Sequence, residues 1–131
     1  GGQVVSPAKV FENMANYEAE RTYLLKELKN RKIPGVLFFT GDRHISDLNK
    51  LEREGTYPLY DLTVSPMTAG KADAVKLDYN ETLVPGTLVQ ERAFSKIEVT
   101  GPLKDRTLTI TLFNVKGEVL WTKELKSNLL K

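Results

Sequence analysis

The chain of 131 residues has no cysteine, only one histidine and no long hydrophobic run. Without cysteine it has no disulfide, thiolate metal site, iron–sulfur cluster or cysteine nucleophile. With one imidazole, it cannot supply a site that needs two histidines of its own. The longest apolar stretch is the run 35–40 (GVLFFT), whereas a membrane-spanning helix needs roughly 18–20 apolar residues. We therefore predict no membrane span.

Neither sign of charge dominates, because 19 Lys and Arg stand against 17 Asp and Glu, for a formal net charge of +2. This charge is too small to predict a nucleic acid or an anionic membrane as partner. The aromatic residues are scattered and form no series on which bases would stack. We therefore expect no nucleic acid as a stable partner.

The length and composition are those of one globular domain covering residues 1–131. The N-terminus has neither the basic start nor the apolar core of a signal peptide, and the sequence does not begin with Met. We therefore expect the chain to be part of a longer polypeptide.

The first half of the sequence predicts alternating helix and strand. A helix is expected to begin after Asn16 as N-cap, with two glutamates in its first turn, and to end before Pro34. The apolar run 36–40 lacks alternation and predicts a fully buried strand. Residues 46–53 suggest a short helix or helical turn, residues 57–64 a strand, and residues 67–83 mostly loop.

The last third predicts three strands, over residues 94–100, 107–115 and 118–125. Apolar and polar residues alternate through 107–114, as in a half-buried antiparallel strand, and Lys116–Gly117 is a hairpin turn signal. The predicted fold class is therefore α/β (mixed α+β), with a helix and a buried strand followed by an antiparallel β meander.

The loop after the predicted buried strand concentrates the residues suited to chemistry. Ligands bind at the carboxyl ends of strands in open α/β sheets, and here Gly41 is expected to allow a sharp turn. Asp42 and His44 are suitable ligands for Mn, Fe or Zn, and Asp47 is expected to support a ligand or cap a helix. A lone Asp-x-His is common by chance, so a surface or hydrogen-bonded histidine is the alternative.

Other catalytic motifs are absent from the sequence. It contains no Gly-x-Ser-x-Gly elbow, no Gly-x-x-x-x-Gly-Lys phosphate loop and no Gly-x-Gly-x-x-Gly turn. The missing elbow argues against the further alternative, a serine hydrolase that uses His44.

Three segments resemble the alkaline phosphatase D-like metallophosphatases, which belong to the calcineurin-like metallophosphoesterase superfamily. The run 35–48 (GVLFFTGDRHISDL) resembles the last metal-binding motif of that family. The run 57–68 (YPLYDLTVSPMT) resembles its following strand and Ser-Pro turn, and the run 12–21 (ENMANYEAER) is similar to its helix entry. The likeness extends over most of residues 3–125.

The resemblance implies half of an α-β-β-α sandwich and hydrolysis of a phosphate ester by a water activated by two metal ions. It implies that His44 is a metal ligand and that Asp42 is either a ligand or a partner that orients one. For Arg43 it implies a contact with the phosphate of the substrate, with a structural salt bridge as the alternative. The metals would be divalent or trivalent ions, with Fe, Mn, Zn and Ca not distinguished. Asn13 and Tyr17 match no ligand motif and are expected to cap and pack the helix. The resemblance also implies a periplasmic or extracellular location.

The earlier ligand motifs of the family are missing, since no other histidine occurs in the sequence. By the resemblance, the chain is the C-terminal portion of a longer phosphoric ester hydrolase, and the missing N-terminal portion is its partner. The alternative is a non-catalytic, β-rich binding or interaction module.

Overall fold

The computed structural model describes residues 1–71 and 81–131, which form one α-helix and two three-stranded β-sheets. A short 3₁₀ turn, Met14–Asn16, precedes helix α1, Glu18–Asn30. The first sheet consists of β1 (Leu37–Thr40), β2 (Asp47–Leu51) and β3 (Leu59–Thr63), and the second of β4 (Ala93–Thr100), β5 (Thr107–Asn114) and β6 (Val119–Lys126). The fold is therefore mixed α+β, as the sequence predicts at this level.

Helix α1 begins later than the sequence predicts. Asn16 is not its N-cap, because Tyr17 occupies that position and makes no side-chain capping hydrogen bond. The Asn16 amide instead donates to the carbonyl of Phe11 at 2.6 Å. Residues 14–16 are already committed to the 3₁₀ turn, so the α-helix can start only beyond it. At the other end the helix stops at Asn30, before Pro34, as expected.

Of the prediction that Asn13 and Tyr17 cap and pack the helix, only the N-cap position of Tyr17 is confirmed. Asn13 is fully buried. Its side-chain oxygen accepts the backbone N–H of Gln3 at 3.0 Å, and its side-chain NH₂ donates to Gln3 Oε1 at 3.2 Å. Tyr17 is mostly exposed. Asn13 thus holds the N-terminal segment rather than the helix.

In the first sheet, β3 is the central strand, with β1 parallel on one side and β2 antiparallel on the other. All five residues of β3 are buried. The strand predicted over 36–40 exists as β1, but it is not fully buried, because it lies at the sheet edge and Phe39 is 58% exposed. Among the strands of residues 1–71 and 81–131, β1 pairs with β3 alone.

Strand β2 replaces the short helix that the sequence suggests over 46–53. It pairs with β3 in a register that sets Leu48 against Leu62 and Asn49 against Asp61. A propensity for helix over so few residues is weak, and burial against the central strand outweighs it.

The second sheet confirms the predicted antiparallel meander in the order β4-β5-β6. Ile110 and Leu112 are fully buried on one face of β5. The Gly117 N–H donates to the Asn114 carbonyl at 3.0 Å and φ is +81°, as the predicted hairpin turn requires. Of the loop expected over 67–83, residues 72–80 lie outside the described residues.

An apolar cluster joins the helix and the two sheets. Leu28 of α1 packs in it with Leu48, Leu59 and Leu62 of the first sheet and with Ile110, Leu112 and Trp121 of the second. Among residues 1–71 and 81–131, no helix is long and apolar enough to cross a membrane.

Candidate functional site

The predicted loop lies at the carboxyl end of the parallel strand pair. Because β1 and β3 run in the same direction, the segments that follow them, 41–46 and 64–70, emerge at the same end of the sheet. The Val64 N–H donates to the Thr40 carbonyl at 3.0 Å, which continues the pairing into this region. The loop with Asp42 and His44 therefore meets the Ser65–Pro66 turn.

The sharp turn is made by Asp42 and His44, not by Gly41. Their φ angles are +65° and +56°, in the left-handed region, whereas Gly41 is not in that region. Asp and His enter this region more readily than most residues, but at a cost of about 1 kcal/mol or more. The Gly41 N–H donates to the Gly1 carbonyl at 3.2 Å, so the N-terminal segment contacts the loop.

His44 is held by two hydrogen bonds to the neighbouring segment. Its backbone N–H donates to the Ser65 hydroxyl oxygen at 2.6 Å, and its ring Nδ1 is hydrogen-bonded to the Gly70 carbonyl oxygen. A carbonyl oxygen only accepts, so Nδ1 carries a proton. In the neutral ring Nε2 then has the free lone pair. No described residue hydrogen-bonds to Nε2, which is therefore available to a ligand.

Asp42 and Arg43 have different surroundings. Asp42 is exposed, and no other described residue hydrogen-bonds to its carboxylate. Arg43 is only 9% exposed, and its guanidinium carbon lies 5.0 Å from the centroid of the Phe11 ring. This is a cation–π contact, and Phe11 itself is largely exposed. The segment that precedes the helix thus contributes one contact to Arg43.

The described residues do not assemble a complete metal site. No group of three or more His, Asp and Glu that could hold a metal ion is found within residues 1–71 and 81–131. A catalytic zinc site generally has three protein ligands and a two-metal site has more. His44 and Asp42 could thus supply only part of a ligand set.

A buried polar cluster behind the loop was not foreseen from the sequence. Asp61 of β3 accepts the backbone N–H groups of Val4 and Val5 through Oδ2, at 2.7 and 3.0 Å, and the Thr40 hydroxyl through Oδ1, at 2.7 Å. From α1, Arg21 donates to the carbonyls of the same two valines, at 2.8 and 2.7 Å. The N-terminal segment is therefore held from two sides.

Asp47 belongs to the same cluster. It lies on β2, not in a helix, so the expectation that it caps a helix is wrong. Its carboxylate accepts from the Gln3 side-chain amide at 3.0 and 3.1 Å and from the Asn49 amide at 2.9 Å. The pKa of the Asp47 carboxyl is raised, chiefly because the group is buried. The hydrogen bonds of Thr63, Asn49 and Gln3 lower this pKa, and the charge of Asp61 raises it.

One signal in the sequence could have found this cluster. Asp61 is an acidic residue between Tyr60 and Leu62 inside a predicted strand, and a carboxylate that such a strand buries needs partners. Which groups supply them is not visible in the sequence, because Val4 and Val5 are more than fifty residues away.

Comparisons of the chain with protein-family models, with curated proteins and with solved structures find no match.

Proposed function

We propose that the chain is the C-terminal portion of a metal-dependent phosphatase or phosphodiesterase of the alkaline phosphatase D-like type, with His44 as a metal ligand. The observation that carries the proposal is the hydrogen bond between His44 Nδ1 and the Gly70 carbonyl. Metal-binding histidines generally donate their second ring N–H to a carbonyl or carboxylate, which fixes the tautomer and orients the ring. This arrangement supports a ligating role for Nε2.

Asp42 and Arg43 keep the roles that the resemblance implies. Asp42, exposed and two residues from His44, is the proposed second ligand. Arg43 is the proposed phosphate contact, and its guanidinium lies against the ring of Phe11. The hydrogen bond from the His44 N–H to Ser65 fixes the backbone on which the two ligands stand.

Bound metal ions would lower the pKa of a water and neutralise charge on the phosphoryl oxygens. The remaining ligands would come from polypeptide outside this chain, because His44 is its only histidine. Exposed apolar side chains on the two sheets, among them Phe39 and Val99, offer surface for that polypeptide to cover. Under this proposal the isolated chain binds metal weakly and catalyses little.

The alternative is a non-catalytic, β-rich binding module. The observation in its favour is that no group of three potential ligands exists in the part of the chain that the structure describes. The two proposals differ in what precedes the chain. Sequencing the source gene upstream of the Gln3 codon distinguishes them, since the phosphatase requires an open reading frame that encodes further Asp-x-His and Gly-Asn-His motifs.

The decisive experiment uses the full gene product with His44→Ala and Asp42→Asn. We expect His44→Ala to reduce bound metal and to lower hydrolysis of p-nitrophenyl phosphate or its diester by about 100-fold or more, since even partners of ligands contribute 10–100-fold. Asp42→Asn tests the second ligand separately. Arg106→Gln, at an exposed position before β5, is the matched control. Unchanged metal content and activity in His44→Ala would eliminate the proposal.

A further inference from the structure

The segment that carries Gly70 is an exposed loop with few attachments. Residues 67–70 are exposed, so apolar packing does not hold them in place. Ser65 is fixed by its N–H and its carbonyl to the hydroxyl of Ser46, at 3.2 and 3.3 Å. The Pro66 carbonyl accepts the Ala93 N–H at 3.0 Å. These contacts anchor the beginning of the segment but not its end.

Arg92 anchors the other end of this segment. Its Nε donates to the Ala69 carbonyl at 3.0 Å, one residue before the carbonyl that is bonded to His44. Among the described residues, no other side chain hydrogen-bonds to 67–69. Arg92 directly precedes Ala93, the first residue of β4, so its backbone is fixed by the second sheet. A guanidinium also donates in a defined plane, which restricts the direction of the carbonyl it binds.

We propose that Arg92 is a positioning residue for His44, acting through the Ala69 and Gly70 peptide groups to keep the Gly70 carbonyl directed at Nδ1. Arg92 thereby selects the imidazole tautomer whose Nε2 is free to bind a ligand. The second sheet has, in this way, a direct role at a site built on the first sheet. The consequence for metal binding rests on the proposed function, whereas the tautomer of His44 does not.

The tautomer can be read directly, because this chain has one histidine and its imidazole signals are unambiguous. Two-bond ¹H–¹⁵N spectra of the ¹⁵N-labelled chain distinguish protonated from unprotonated ring nitrogens. They would be recorded at about pH 9, a condition chosen to observe the neutral ring. The variants are Arg92→Gln and Arg92→Lys, with Arg106→Gln as a control of the same charge change.

In the unmodified chain we expect one predominant form, with Nδ1 protonated and Nε2 unprotonated. Arg92→Gln should lose this single form, and the two nitrogen resonances should shift towards each other. Arg92→Lys, which keeps a donor but not its plane, should shift them less, and Arg106→Gln should leave them unchanged.

Two other outcomes would be informative. A folded Arg92→Gln or Arg92→Lys chain with the spectrum of the unmodified one would overturn the role of Arg92 and leave the proposed function intact. An unmodified chain in which Nε2 carries the proton would instead remove the observation on which both proposals depend. Circular dichroism establishes that each variant is folded before its spectrum is interpreted.

Discussion

Replacement of Asp61 tests how the N-terminal segment is held against the first sheet. In Asp61→Ala, the backbone N–H groups of Val4 and Val5 lose their acceptor, and Val5 is fully buried. An unsatisfied buried donor costs about 1–3 kcal/mol, so the Val5 N–H alone should cost that much. The Val4 N–H is only part-buried and should add less. Thr40 loses one acceptor but keeps its contact with the Thr63 hydroxyl at 3.0 Å.

Asp61→Asn is the matched comparison, because it has the same shape without the charge. The amide can turn its oxygen to the two valine N–H groups and its NH₂ to the Thr40 hydroxyl, which can accept. All three contacts then persist as neutral hydrogen bonds. Charged hydrogen bonds are roughly twice as strong as neutral ones, which makes the expected cost about 1 kcal/mol. Asp105→Ala, in an exposed turn, should change stability by less than about 0.5 kcal/mol.

The assays are urea unfolding and amide hydrogen exchange at Val4 and Val5. If Asp61→Ala only releases the N-terminal segment, the free energy of unfolding falls by no more than the free energy with which this segment docks on the first sheet. Hydrogen exchange of the Val4 and Val5 amides then rises, while the amides of the core stay protected. The reasoning is refuted if Asp61→Ala costs less than about 1 kcal/mol with unchanged exchange. Equal effects of the alanine and asparagine variants would show that the charge, and not the hydrogen bonds, holds the segment.

Three further predictions concern the loop, the buried acid and the core. The pKa of Asp47 is raised in the folded chain, so its contribution to stability is present at low pH and lost as the pH rises from about 4 through the raised value. In urea unfolding, Asp47→Asn should therefore gain stability relative to the unmodified chain as the pH rises from 4 to 7, and a constant difference would contradict this. Asp42→Gly should be more stable than Asp42→Ala by about 1 kcal/mol, because φ is +65°; equal melting temperatures would argue against that backbone. Ile110→Ala, at a fully buried position, should cost about 2–5 kcal/mol, whereas Val99→Ala, at a 58% exposed one, should cost much less.

The sequence identified the loop but not the way in which its residues are fixed. Asp42 and His44 follow an apolar strand, and that local order is sufficient to place them at a strand end. The Gly70 carbonyl and Arg92 are 26 and 48 residues beyond His44 in the sequence, and neither residue type signals a contact with an imidazole. Only the parallel pairing of β1 with β3, and the start of β4 behind them, brings these groups together.

The second sheet was determined by the sequence alone, because alternation in β5 and the Lys116–Gly117 turn are local properties of a hairpin. The first sheet was decided by the tertiary structure. The apolar residues of β1 are compatible with both a central and an edge strand, and the residues of β2 are compatible with a helix. The central position of β3 makes β1 an edge strand and pairs β2 with β3 as a strand. The two backbone N–H groups that bind Asp61 likewise come from Val4 and Val5, more than fifty residues away in the sequence. Burial and hydrogen bonding over long sequence separations decided these features, and no local pattern encodes them.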